Sequence, residues 1–272
     1  LHPRHPSLSS RQVIMEIVKP LVAAVRYLNS VPLVWGMMRG PQKDLVDLTF
    51  CLPSECADRI RDGAADIGLI PVIEMARQRL LSVPETGIAC DGAVRSILLF
   101  TKVPWRDIRR VAVDNGSRTS VMLARILLRE RYGVEPEMIV MRPVLATMLE
   151  AADAALIIGD PALQLQPAQI PFDHLDLGAA WKELTGLPMV FAVWAGPVLP
   201  PGATKLFTGS WEYGRERLPE IIDHQADRRG IPRGLVRDYL THHIRFSIAE
   251  RETAGLEAYL SLAKTLEPSI TK

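Results

Sequence analysis

Short apolar runs alternate with amphipathic stretches through most of this chain, and this alternation limits its fold more than any other feature. Residues 21–25 and 67–72 are apolar runs of the kind that form strands buried on both faces of a sheet. Residues 118–131 instead carry apolar side chains at helical spacing. Strands that alternate with helices in this way indicate βαβ units and a mostly parallel sheet.

The alternation occurs in two series, and a helical pattern follows from residue 205 onward. Strands are predicted at 21–25, 47–52, 67–72 and 94–100 in the first series, and at 110–113, 138–141, 154–158 and 189–194 in the second. We therefore predict an α/β protein with two lobes. Residues 15–101 and 196–272 form the first lobe with a helical tail that packs on it, and residues 102–195 form the second lobe.

The composition is that of a globular protein, with 48% hydrophobic and 23% charged residues. Lys and Arg total 32 and Asp and Glu total 31, so the chain lacks the basic surplus of a bulk nucleic-acid binder. The cysteines are Cys51, Cys56 and Cys90. We expect small buried thiols in a reducing compartment rather than a zinc site, because Cys51 and Cys56 have no histidine nearby.

No stretch of the sequence approaches 18 uncharged apolar residues, so we predict no transmembrane helix. The first residues are polar and contain proline, without the apolar core of a signal peptide. We therefore expect a cytoplasmic protein that does not bind membranes. Residues 1–14 are expected to be a disordered tail, or an extension ahead of a natural start at Met15.

Polar residues follow several predicted strands, at the sheet edge where ligands bind in α/β proteins. They are Asn29, Ser30, Ser54, Ser96, Ser117, Arg118, Thr119, Ser120, Gly159 and Asp160. The run 117–120 would begin a helix, whose free N–H groups and partial positive charge attract carboxylate or phosphate. Its hydroxyls and its arginine predict an anion-binding cradle. The same residues are explained equally well by a helix-capping run followed by an arginine on the surface. Asn29 and Asp160 are alternatively ordinary turn residues.

The common catalytic motifs are absent from the sequence. We find no P-loop, no G-x-G-x-x-G after a strand, no G-x-S-x-G and no H-E-x-x-H. The residues alone therefore predict a protein that binds a small anion between two lobes. They leave open whether it also catalyses a reaction.

Several segments together resemble the chorismate dehydratase family, in order and at natural spacing over about residues 24–194. They are YLNSVPL at 27–33, DIGLIPVIE at 66–74, SRTS at 117–120, IGDPAL at 158–163, and Trp181 with TGLP at 185–188. Each segment alone would be a weak signal, but the combination is specific.

The resemblance implies a two-lobed fold like that of type 2 periplasmic solute-binding proteins, with no cofactor and no metal. It implies conversion of chorismate to 3-[(1-carboxyvinyl)oxy]benzoate and water, the first step of the futalosine route to menaquinone. Asn29 would then be catalytic and hold the leaving or enolate oxygen, and the other polar residues named above would bind substrate. The base would be a carboxylate of the substrate, or Asp160.

Two alternatives remain open from the sequence. One is the sister enzyme of the same route, 1,4-dihydroxy-6-naphthoate synthase, although the SRTS and TGLP segments favour the dehydratase. The other is a solute-binding protein without catalytic activity, a class that normally carries a signal peptide or a lipobox.

Overall fold

The computed structural model describes residues 19–114 and 116–267, so the expected tail at 1–14 lies outside the described residues. The strands are β1 (Leu21–Val25), β2 (Asp47–Cys51), β3 (Ile67–Pro71), β4 (Leu81–Cys90), β5 (Ile97–Thr101), β6 (Arg110–Val113), β7 (Glu137–Val140), β8 (Ala154–Ile158), β9 (Asp173–Asp176), β10 (Met189–Gly196) and β11 (Arg245–Ile248). The helices are α1 (Val31–Arg39), α2 (Pro53–Arg61), α3 (Val72–Gln78), α4 (Arg118–Tyr132), α5 (Leu145–Ala151), α6 (Asp160–Gln164), α7 (Leu177–Thr185), α8 (Ala203–Glu216), α9 (Leu218–Arg229), α10 (Arg233–Asp238) and α11 (Glu250–Leu266).

The strands form two sheets, one in each lobe. The first sheet has the order β11-β4-β10-β3-β1-β2, and the second has the order β7-β6-β8-β5-β9. Strand β1 pairs in parallel with β2 and β3, and β6 pairs in parallel with β7 and β8. Strands β10 and β5 run antiparallel to their neighbours, so both sheets are mixed rather than mostly parallel.

The sheets divide the chain differently from the prediction. Strand β5 was assigned to the first lobe but lies in the second sheet, and β10 was assigned to the second lobe but lies in the first. The chain crosses from the first sheet to the second between β4 and β5, and it returns between β9 and β10. An apolar run indicates that a strand is buried, but it does not indicate which sheet the strand joins. The boundaries therefore fall before β5 and before β10.

The segment after β10 packs mainly on the first lobe, as expected. Ser210 of α8 donates its hydroxyl to the carbonyl of Leu33 in α1 at 2.7 Å and accepts from the Met37 N–H at 3.2 Å. Strand β11 joins the edge of the first sheet, so the tail is not entirely helical. Helix α11 also reaches the second lobe, where Tyr259 donates to the carbonyl of Thr119 at 3.1 Å.

Three further expectations concern the cysteines, membrane-spanning helices and metal ligands. Cys51, Cys56 and Cys90 are buried and free of disulfides, which confirms the expectation of buried thiols. No helix among these residues is long and apolar enough to cross a membrane. The same residues contain no cluster of histidine, cysteine or carboxylate side chains suited to hold a metal ion.

Candidate active site

A cavity lies between the two lobes and is lined by residues of both. Its wall is mostly aliphatic, and its polar groups belong to Tyr27, Asn29, Ser96, Ser117, Ser120 and the backbone of Gly159. Among the described residues that line it, none is an aspartate, glutamate, histidine, lysine or arginine. The cavity therefore offers neutral hydrogen-bonding groups in an apolar surrounding.

Several helices begin at this cavity. Pro53 is the first residue of α2, Ser117 is the N-cap residue of α4, and both line the cavity. Asn29 lies just ahead of α1, which begins at Val31. Helix N-termini carry N–H groups without intrahelical partners and a partial positive charge. The cavity is thus suited to an anion, although none of the described residues directs a cationic side chain into it.

Two of the four residues in the run 117–120 face the cavity. Ser117 caps α4 by accepting the N–H of Ser120 at 3.4 Å, and the two hydroxyl oxygens lie 2.9 Å apart. Positions i and i+3 lie on the same face of a helix, which explains why both serines point the same way. Of the predicted anion-binding run, Ser117 and Ser120 are therefore the residues that line the cavity.

Arg118 and Thr119 do not line the cavity. Arg118 forms ion pairs with Asp58 at 3.0 Å and Glu74 at 3.1 Å, both in the first lobe. The hydroxyl of Thr119 accepts the N–H of Ile73 at 3.5 Å. Both residues therefore hold the lobes together, and their expected contact with substrate is not supported by their positions.

Asp160 also connects the lobes instead of facing the cavity. Its carboxylate accepts the N–H of Leu28 at 2.9 Å and pairs with Arg229 of α9. Burial raises the pKa of Asp160, and the charge of Arg229 opposes that shift. We refer to the pairs of Arg118 with Asp58 and Glu74, and of Asp160 with Arg229, as the interlobe ion pairs.

Ser30 and Ser54 have structural contacts as well. The Ser30 hydroxyl is fully buried and donates to the carbonyls of Val25 and Tyr27, the latter at 2.9 Å. Ser54 lies in the first turn of α2, whose N-cap residue is Leu52. The Ser54 N–H donates to the Gly116 carbonyl at 3.1 Å, and its side chain lines a different cavity beside Arg118.

Gly159 packs against the ring of Tyr27, and both residues line the cavity. Its φ is +65°, a conformation that favours glycine. A Cβ at this position would lie 2.8 Å from Cε2 of the Tyr27 ring. The predicted residue Gly159 therefore allows the second lobe to approach the first.

The side chains of Asn29 and Ser96 complete the polar wall. Ser96 is 1% exposed, and it accepts a hydrogen bond of 2.9 Å from the hydroxyl of Tyr239. The Oδ1 atom of Asn29 is buried and has no hydrogen-bond partner among the described residues. Leaving such an acceptor unpaired costs about 1–3 kcal/mol, a cost that a ligand able to donate would remove. Nothing in the local sequence indicated Tyr239, which lies in the tail after α10.

A family described as menaquinone biosynthesis matches this chain over residues 20–265. The chain belongs to this family. A chorismate dehydratase of Thermus thermophilus is 32% identical over 195 residues, covering 65% of this chain and 71% of the relative. A chorismate dehydratase of Campylobacter jejuni is 26% identical over 247 residues, covering 89% and 96%. The resemblance to the chorismate dehydratase family inferred from the sequence segments is thereby confirmed.

Solved structures support the fold of this member of the menaquinone biosynthesis family. A protein from Archaeoglobus fulgidus has a TM-score of 0.73 at 19% identity, covering 91% of this chain and 97% of that one. The periplasmic aliphatic sulphonate binding protein of Escherichia coli has a TM-score of 0.59 at 14% identity, covering 91% and 86%. The periplasmic nitrate-binding protein of Synechocystis gives 0.59 at 13%, covering 94% and 84%. The periplasmic-binding-protein-like fold is confirmed.

Proposed function

We propose that this protein is an enzyme that converts chorismate to 3-[(1-carboxyvinyl)oxy]benzoate and water, the first step of the futalosine route to menaquinone. The observation that carries the proposal is the interlobe cavity, whose polar groups are hydroxyls and an amide, with Ser117 and Ser120 at a helix start. Membership of the menaquinone biosynthesis family and the relatives named chorismate dehydratase support the same assignment.

The cavity suits the two carboxylates of chorismate. Ser117 and Ser120 lie at the N-terminus of α4, where hydroxyls and free N–H groups can donate to one oxyanion. Ser96 can donate its own proton to a second polar group of the substrate, because its oxygen already accepts from Tyr239. The aliphatic wall would surround the ring.

The reaction breaks the C3–H and C4–O bonds and forms a double bond between these carbons, so that the ring becomes aromatic. The proton from C3 and the hydroxyl from C4 leave together as water, and no oxidant is needed. Asn29 would hold the departing oxygen. Aromatisation supplies a large driving force, so orientation and stabilisation of developing negative charge are the contributions required of the protein.

A carboxylate of the substrate is the base that we favour. The described residues of the cavity wall include no aspartate, glutamate, histidine or lysine that could accept the proton. The carboxylate of Asp160 already accepts the N–H of Leu28 and pairs with Arg229. We expect Asp160→Asn to keep turnover within about tenfold, because the amide retains an acceptor for Leu28. Loss of turnover with unchanged chorismate binding would identify Asp160 as the base instead.

The direct test is incubation of the purified protein with chorismate, followed by ultraviolet absorbance and by mass spectrometry of the product. We expect an aromatic product that has lost one water from chorismate. A solute-binding protein would show a raised melting temperature with chorismate but would leave it unchanged. That result would overturn the proposed reaction.

A further inference from the structure

Two buried thiols lie in contact where strand β2 meets helix α2. Cys51 is the last residue of β2, and Cys56 is the fourth residue of α2, which begins at Pro53. Their sulfur atoms are 2.8 Å apart. A disulfide bond has a sulfur–sulfur distance of about 2.05 Å, so a small movement of the side chains brings these two sulfurs to bonding distance.

The two thiols differ in acidity and in access to solvent. Cys56 is 0% exposed, whereas Cys51 is 7% exposed and lies on the edge strand of the first sheet. The hydrogen bond from Cys56 lowers the pKa of Cys51, and the same contact raises the pKa of Cys56. Because the thiolate is the form that oxidants attack, Cys51 is the thiol expected to react first.

The third thiol of the chain offers an internal control. Cys90 is the last residue of β4 and is 0% exposed. Burial raises its pKa, which keeps it protonated. The hydrogen bonds of the described residues include none between Cys90 and either of the other two thiols. We therefore expect Cys90 to resist oxidation under conditions that oxidise an exposed or acidic thiol.

We propose that Cys51 and Cys56 form a redox-active pair that hydrogen peroxide converts to a reversible disulfide. The Cys51 thiolate attacks one peroxide oxygen, the O–O bond breaks, and a sulfenic acid forms while the other oxygen leaves as water. Cys56 then loses its proton and attacks the Cys51 sulfur, and the hydroxyl of the sulfenic acid leaves as a second water. The two thiols lose two hydrogens in total, and one peroxide is reduced to two waters.

The disulfide would form beside the cavity and would protect that part of the wall. Pro53 and Ser54 lie between the two cysteines in the chain; Pro53 lines the cavity, and the Ser54 N–H donates to the Gly116 carbonyl of the second lobe at 3.1 Å. Further oxidation of Cys51 to a sulfinic acid would add a second oxygen and a charge at a buried position next to these contacts, and thiol reductants do not reverse it. Closure by Cys56 consumes the sulfenic acid before that stage.

Peptide mapping of the full chain tests the pair. Cleavage after lysine and arginine places Cys51 and Cys56 together in peptide 44–59 and Cys90 alone in peptide 80–95. After hydrogen peroxide, removal of the peroxide, and alkylation in denaturant, we expect peptide 44–59 to carry no alkyl group and to be two hydrogens lighter than the reduced peptide. Dithiothreitol before alkylation should restore both thiols, and peptide 80–95 should be alkylated throughout.

Single variants separate the two steps. In Cys56→Ser, which lacks the second thiol, Cys51 should form a sulfenic acid that dimedone traps. Longer exposure should convert it to a sulfinic acid that dithiothreitol does not reverse, with a fall in melting temperature. Cys51→Ser should leave Cys56 as a thiol under the same exposure. Cys90→Ser is the matched control and should form the disulfide in peptide 44–59 as readily as the wild type.

The proposal fails if both thiols of wild-type peptide 44–59 survive a peroxide exposure that oxidises free glutathione in a parallel sample. It also fails if the disulfide includes Cys90, or if dimedone labels Cys56 in Cys51→Ser as readily as it labels Cys51 in Cys56→Ser. Should a serine variant fail to fold, the wild-type peptide map still decides whether the disulfide forms. Chorismate takes no part in these measurements, so the thiol pair and the proposed function stand or fall separately.

Discussion

The cavity wall and the interlobe ion pairs are neighbouring regions with opposite chemistry. The wall presents hydroxyl and amide groups without a charged side chain among its described residues. The ion pairs beside it join Arg118 to Asp58 and Glu74, and Asp160 to Arg229. Both regions are built from the same sequence segments, because Ser117 and Arg118 are adjacent, as are Gly159 and Asp160.

Adjacent residues in these segments therefore have different roles. Neutral side chains face the cavity, and charged ones connect the two lobes that enclose it. A carboxylate or guanidinium in the wall would be removed from water whether or not the substrate is bound. Such burial of a charged group costs free energy unless the group is paired with an opposite charge. Hydroxyls and helix N-termini supply hydrogen bonds to an anion at a smaller desolvation cost.

The largest expected effect follows from removing Asn29 from the wall. We expect Asn29→Ala to lower kcat for chorismate by about 100-fold or more and to change KM by less than about tenfold, because the lost contacts act on the leaving group. Steady-state kinetics by absorbance measures both. Ser30→Ala is the adjacent control, since its hydroxyl bonds to backbone carbonyls, and it should lower the melting temperature with a much smaller loss of kcat. Unchanged turnover in Asn29→Ala would remove Asn29 from the mechanism.

The second effect compares two adjacent buried hydroxyls in α4. Ser120 is 1% exposed and lines the cavity, whereas Thr119 is 0% exposed and contacts Ile73. We expect Ser120→Ala to raise KM about tenfold, because a hydrogen bond to a charged group contributes about 1.5–3 kcal/mol. Thr119→Val should keep KM within about threefold and lower the unfolding free energy by about 1 kcal/mol. Equal increases in KM in the two variants would contradict the assignment of Ser120 to the cavity wall and Thr119 to the contact between the lobes.

Sequence patterns predicted much of the fold because burial and helical spacing are local properties. The runs at β1, β3 and β8 were recognisable as buried strands, and 117–120 as a helix start. The sheet that β5 and β10 join depends on pairing with distant segments, as in the contact of Leu98 with Ile157. Their lobe was therefore not predictable from the runs themselves.

The candidate site, like the fold, was predictable where its features are local in the sequence. The i and i+3 spacing of Ser117 and Ser120 could have placed both on one helix face and Arg118 on another. The partner of Asp160 is Arg229, 69 residues away, and Tyr239 lies 143 residues from Ser96. No local signal connects such residues, so the sequence could not separate a carboxylate in the wall from one in an ion pair.

The smallest expected effect tests charge at the lobe contact through pH. Asp91 accepts a 2.6 Å hydrogen bond from Lys182 of α7 and pairs with Arg245 and Arg251 of the tail at 3.0 and 3.2 Å. The hydrogen bond from Lys182, and then the charges of the three cations, hold the pKa of Asp91 below its ordinary value. The stabilisation is therefore complete above the unfolded-state pKa of about 3.9 and is lost as pH falls through the lower folded-state pKa.

We expect Asp91→Asn to lower the unfolding free energy by about 0.5–1 kcal/mol at pH 7, a modest value because the three cations are partly exposed to solvent. The difference from the wild type should begin to shrink below about pH 4, where the Asp91 carboxylate of the unfolded chain takes up its proton. Urea unfolding at several pH values measures it, and chorismate kinetics at pH 7 should change little, since Asp91 is not part of the cavity wall. A difference in stability that persists unchanged to pH 2 would indicate that packing, and not charge, is what Asp91 contributes to the contact between the lobes.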